Sequence, residues 1–152
     1  MLSTFSEQGY SFVYPANWEL VDPQFEELPY SVGVQSPEGA FWTLTIYPVS
    51  RDPEALVEEA VEAMRGDYEQ FEYEPFKPGL PPDMEPVGRE MTFIFLDFVV
   101  TSRATAFRRG RATVLVQGQA ESRDYERLET VFEAMTASFL RDADMGEEGD
   151  DE

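Results

Sequence analysis

Arg89, Arg103, Arg108, Arg109 and Arg111, half of the arginines in the sequence, fall within one β-rich stretch of an otherwise acidic chain. Guanidinium forks take carboxylate and phosphate groups bidentately, so a positive rim there could receive an acidic partner or an anion. The same side chains could instead pair across strands with the protein's own Glu and Asp. These five are the candidate partner-binding residues. Catalytic vocabulary is scarce by comparison. The sequence has neither histidine nor cysteine. Their absence removes Ser-His-Asp and Cys-His nucleophile activation, imidazole bases, thiolate chemistry and nearly all zinc catalytic sites. Neither G-x-x-x-x-G-K-[ST] nor G-x-G-x-x-G occurs, so nucleotide phosphates have no recognisable cradle. No catalytic residue, metal ligand or cofactor is expected, and the protein is expected not to be an enzyme.

Carboxylate pairs remain able to act as acid and base. With thirty-one Asp and Glu residues a chance pair is nearly guaranteed, so abundance decides nothing. Asp97 stands out because it interrupts the apolar run of residues 93–100. As a strand-end or bulge residue it would simply face water. Lys77, the one lysine, sits in a Pro-Gly loop where a solvated amine is the expected occupant. Residues 142–152 offer hard oxygen ligands for calcium or magnesium. They depart from the EF-hand pattern, since Asp142-Ala-Asp144-Met-Gly146 lacks the third acidic ligand before glycine and the terminal bidentate Glu. That stretch is expected to be a disordered acidic tail, too charged and too poor in apolar groups to fold. It would serve solubility, engage a basic partner or shield the protein's own basic patch.

The formal charge is −20, of which the tail carries seven units, leaving −13 on residues 1–141. Such a surface argues against nucleic acid, which demands clustered Lys and Arg. No segment approaches the roughly 20 apolar residues needed to span a bilayer. The first residues lack a basic stretch followed by an apolar one, so no secretory signal is expected, and the cytoplasm is the default location.

The elements that must position these groups read as follows. Residues 10–14 alternate large apolar with smaller residues before Pro15, residues 30–35 form a second strand, and residues 41–47 a third with Trp42, Leu44 and Ile46 on one face. Asp52-Pro53-Glu54 starts a helix, with Asp as cap and Pro in the first turn. Leu56, Ala60, Val61, Met64 and Tyr68 share its apolar stripe, and it should fade near Phe71. Five prolines within residues 74–86 forbid regular structure over most of that span. Strands follow at 91–96, 99–107 and 112–117, with a turn at 108–111 and an uncertain boundary around Asp97 and Phe98. Ser122 can cap a closing helix whose face carries Tyr125, Leu128, Val131, Phe132, Met135 and Phe139. Strands, a helix, more strands and a terminal helix predict an α+β fold with mainly antiparallel pairing, in one domain over residues 1–141.

Three local signatures stand out within this order: Phe12-Val-Tyr14-Pro15-Ala-Asn-Trp18, the hairpin through Gly110 into residues 112–117, and the closing Ala137-Ser138-Phe139. In these signatures and their order the chain resembles the PsbP-like family. Together they span about residues 10–140. The resemblance implies an antiparallel sheet with helices on its faces, an α/β/α sandwich, and a non-catalytic role docking onto other proteins. Members serve different partners, so the photosystem and Ran-binding roles are not carried over. Some bacterial relatives act as chaperones for membrane segments of secreted effectors, and no motif here singles out that role. The leading expectation is a protein-interaction or accessory module contacting another protein through a sheet edge, the arginine-bearing hairpin or the long loop. The alternative is a small-ligand or lipid carrier with a cavity between sheet and helix, lined by Phe93, Phe95, Phe132 and Met135.

Overall fold

The computed structural model describes residues 1–141 in full and, beyond them, the backbone of the last helix as far as Asp150. The tail expected at 142–152 lies outside the fully described residues. Along the chain come β1 (Leu2–Glu7), β2 (Tyr10–Pro15), β3 (Glu19–Gln24), β4 (Tyr30–Gln35), β5 (Phe41–Tyr47) and α1 (Pro53–Arg65). Then follow β6 (Glu69–Phe76), a 3-10 turn at Pro82–Met84, β7 (Val87–Phe95), β8 (Phe98–Arg109), β9 (Ala112–Glu121) and α2 (Ser122–Asp150). The fold is α+β and every strand pair is antiparallel. Seven strands form one sheet in the order β3-β4-β5-β9-β8-β7-β6, and β1-β2 is a separate hairpin.

Strand alternation divides the sheet into two faces with different cores. On one side Trp42, Leu44 and Ile46 of β5, Val114 and Val116 of β9 and Phe107 of β8 meet α2 and the β1-β2 hairpin. On the other, Met91, Phe93, Val100, Ala104 and Ala106 receive Leu56, Val57 and Val61 of α1. The helices therefore flank opposite faces. Local chemistry starts α1 as expected: the Asp52 side chain accepts a hydrogen bond from the Glu54 N–H, and Pro53 opens the first turn.

Four readings of the sequence need correction. β1, β3 and the first part of β6 were not anticipated. α1 stops at Arg65, short of Phe71, yet Tyr68 still joins the core by stacking on Phe93 with ring centroids 4.2 Å apart. The proline-rich span begins inside a strand: Pro75 lies in β6 opposite Arg89, on the outer strand of the sheet, where a missing N–H breaks no ladder. The strands expected at 91–96 and 99–107 are longer, and the boundary at Asp97 is a two-residue turn between the paired Phe95 and Phe98.

Candidate functional site

The five candidate arginines do not form one rim. Alternation along β7 and β8 sends Arg89 and Arg108 toward the α1 side and Arg103 and Arg109 toward the α2 side. Arg89 pairs with Glu58 at 2.8 Å and Glu54 at 3.4 Å, both on α1, and donates to the Gly88 carbonyl. Arg108 pairs with Glu85 and donates to the Ser50 hydroxyl. Arg109 donates to the Leu140 carbonyl at 3.0 Å. Arg111 is exposed in the β8-β9 turn and has no ion pair among the described residues.

Arg103 meets the largest set of charged and aromatic groups among these arginines, although Arg89 is the more buried side chain. It faces Glu90, its register partner across β7, at 2.8 Å and pairs with Glu129 of α2. Its guanidinium also lies 4.8 Å from the Phe76 ring centroid and 5.5 Å from that of Tyr125. Burial alone would lower its pKa, but the hydrogen bond to Glu90 and the surrounding negative charge outweigh that and raise it. Burial pushes the neighbouring Tyr125 phenol well above the usual range, Arg103 opposes this, and the carboxylates of Glu129, Glu90 and Glu133 add to it. The cross-strand pairing weighed from sequence is what Arg103 and Glu90 make.

Next to this cluster a cavity of about 320 Å³ lies between α2, the sheet and the loop after β6, bordered by Trp42, Phe76, Leu80, Val116 and Phe132. Two glycines shape it. A Cβ on Gly118 would approach Phe132 to 2.7 Å, and one on Gly88 would approach Phe76 equally closely, so each lets an aromatic ring lie down on the sheet. Phe93, Phe95, Phe132 and Met135, expected to line one cavity, are separated: Phe93 is buried on the α1 face, Met135 in the α2-side core, and Phe95 is half exposed. Only Phe132 borders this space. Asp97 and Lys77 are both exposed. Among the described residues no group of three or more His, Cys, Asp or Glu could hold a metal ion.

The least expected feature is the tip joining β7 to β8. Phe95 is 50% exposed, Leu96 73%, Phe98 51% and Val99 47%. The turn residues Leu96 and Asp97 both have left-handed backbone, with φ of 50° and 69°. Asn-Gly is the local preference for such a turn, because a side chain beyond Asn or Asp is strained there. Leu96 is the one apolar residue at positive φ among the described residues. Beside the tip runs a groove of about 290 Å³ bordered by Ala40 and Leu128, by the acidic Glu38, Glu121 and Asp124, and by Arg127, which pairs with Asp124 at 3.8 Å. The signal was present in the sequence as Phe95-Leu-Asp-Phe98, an apolar hairpin without a turn-forming glycine, but it registered only as an uncertain boundary.

An antiparallel sheet with one helix on each face and a small hairpin beside the second helix defines an α+β sandwich. That sandwich is the PsbP-like fold. The chain superposes on cyanobacterial PsbP (CyanoP) from Synechocystis sp. PCC 6803 with a TM-score of 0.57 and 16% identity, covering 90% of each chain. LpqN of Mycobacterium tuberculosis, described as involved in cell envelope biogenesis, matches with a TM-score of 0.51 and 12% identity over 89% of this chain and 80% of that one. A Pseudomonas aeruginosa protein of unknown function, PA94, gives 0.48 and 10% over 87% and 91%. No family model matches the sequence, and no curated protein does. The expected fold is therefore shown, covering nearly the whole chain.

Proposed function

We propose that this protein is a non-enzymatic interaction module that docks a protein partner on the β7-β8 tip. The observation that carries the reading is the tip itself: four large apolar side chains in sequence neighbourhood, about half or more exposed, held out by a turn that would be easier to build from polar residues. The edge of Phe95 packs on Tyr68 at 5.8 Å, but Leu96, Phe98 and Val99 remain exposed, and exposed apolar clusters of this kind mark interaction sites. Charge selects the partner. Residues 1–141 carry −13, and around the groove beside the tip Glu38, Glu121 and Asp124 outnumber Arg127, with Glu38 free of ion pairs among the described residues. A second copy or an anionic membrane would bring like charges together, whereas a basic segment bearing apolar side chains complements both features.

The test is capture from native lysate by the wild-type protein and by a variant carrying Leu96→Asn and Phe98→Ser, the variant first checked for an unfolding midpoint no lower than that of the wild type. A defined basic partner should bind the wild type and be lost from the variant. It should be retained by the variant in which Arg108, Arg109 and Arg111 all become Ala. Equal capture by the tip variant and the wild type would reject the site. Loss only in the arginine variant would return the contact to the arginine-bearing hairpin.

A further inference from the structure

The cavity over the sheet belongs to neither the tip nor its groove, and its chemistry is one-sided. Its body is apolar and aromatic, with Trp42, Phe76, Leu80, Val116 and Phe132 as walls. Its polar groups are mostly spoken for. The Trp42 Nε1–H donates to the Thr136 hydroxyl at 3.3 Å, and that hydroxyl donates in turn to the Phe132 carbonyl at 3.2 Å. Arg103, the one cation among the described residues of the lining, is held by Glu90 and Glu129 and covered by two rings. An anion entering there would have to strip Arg103 of carboxylates already in place. Glu133 stands one helical turn beyond Glu129 on the lining, exposed, and has no ion pair among the described residues. On the lining Glu129 and Glu133 stand against the single guanidinium of Arg103, with Glu90 behind Arg103 and Arg109 at the Leu140 carbonyl, so the carboxylate left without an ion pair among the described residues at the mouth is Glu133.

From this geometry we infer that the cavity binds a small organic cation with an apolar body, an aliphatic or aromatic primary amine. The ammonium sits at Glu133 in the field of Glu129 and Glu90, and the hydrocarbon lies between Phe76, Leu80 and Phe132. The volume is at the small end of the range for ligand sites, which suits a short chain or a single ring rather than a lipid. The enclosed rings add attraction for the cation through their negative faces. The acidic surface as a whole raises the local concentration of cations and lowers that of anions.

Calorimetric titration of the full chain at neutral pH with n-hexylamine, n-hexanol and n-hexanoate tests this directly, because the three probes share a body and differ in head-group charge. Hexylamine should bind roughly five- to tenfold more tightly than hexanol, and hexanoate more weakly than either. Glu133→Gln should bring hexylamine to the hexanol level without changing hexanol, and Ala137→Trp, which fills the cavity from an exposed helix position, should weaken both. Equal affinity for all three probes, preference for hexanoate, an unchanged amine affinity in Glu133→Gln, or no hexylamine binding at millimolar concentration would each overturn the assignment.

Discussion

Two hairpins of the same turn length solve the same geometric problem with opposite chemistry. Between β1 and β2 the chain turns through Gln8 and Gly9, with φ of 52° and 82°; between β7 and β8 it turns through Leu96 and Asp97, with φ of 50° and 69°. Each turn is flanked by aromatics. On the first hairpin Phe5 and Phe12 are register partners, buried against each other at 5.3 Å, and Phe12 continues to Trp42 at 4.9 Å. The Val13 N–H of β2 donates to the Ser138 hydroxyl of α2, fastening that hairpin to the helix. On the second, the partners Phe95 and Phe98 are each half exposed, Phe95 resting one edge on Tyr68 at 5.8 Å. The first hairpin puts polar residues and glycine where the backbone is constrained and aromatics where there is a core to fill. The second puts a leucine at one of the two constrained positions and leaves its aromatics half exposed. A region that departs from local consistency without serving the fold is where function is to be sought.

The largest test of this contrast is stability. Phe12→Ala should cost about 3–5 kcal/mol, because it opens a cavity among fully packed rings, whereas Phe98→Ala should change stability by less than about 1 kcal/mol. Urea unfolding of the two variants measures both, and similar losses would mean the second hairpin is part of the core after all. The turns themselves should respond with opposite signs. Gly9→Val places a β-branched residue at φ of 82° and should destabilise by about 1–2 kcal/mol, while Leu96→Asn relieves strain and should stabilise by about 0.5–1 kcal/mol. A destabilising Leu96→Asn would show that the leucine serves folding. Away from both tips, the enclosed phenol of Tyr125 should set an alkaline limit. Its pKa is raised in the folded state, so above about pH 10 the unfolded chain loses a proton that the native state retains, and stability falls. The slope should be at most about 1.4 kcal/mol per pH unit, and Tyr125→Phe should remove it; an unchanged alkaline slope in that variant would contradict the placement. The smallest effect belongs to the third turn, where Arg111 is exposed and has no ion pair among the described residues, so that Arg111→Ala should leave stability within about 0.5 kcal/mol.

How much of this was legible in the sequence follows from how each region earns its structure. β5 announces itself because Trp42, Leu44 and Ile46 alternate with half-buried neighbours, and α1 because Asp52-Pro53 is a start signal of local origin. β1 was silent, since only Phe5 of its six residues is buried and its strand identity comes from pairing with β2. β6 reads as acidic loop, Glu-Gln-Phe-Glu-Tyr-Glu-Pro-Phe, and is a strand because β7 offers it a ladder and its outer side needs none. The arginines were visible as a cluster in sequence, but the period of two that distributes them between faces, and the Glu54, Glu58 and Glu129 that meet them from distant helices, are products of the tertiary fold. The cavity depends on Gly88 and Gly118 lying under rings from other elements, which no local pattern encodes.

The central claim is that the β7-β8 tip is a docking surface and the β1-β2 tip is not. Site-specific photo-crosslinking compares them directly, with p-benzoylphenylalanine placed at Phe98 in one protein and at Gln8 in another, each irradiated in native lysate. A discrete adduct with a basic protein is expected from position 98 and none from position 8. The same adduct from both positions, or none from position 98, would contradict it.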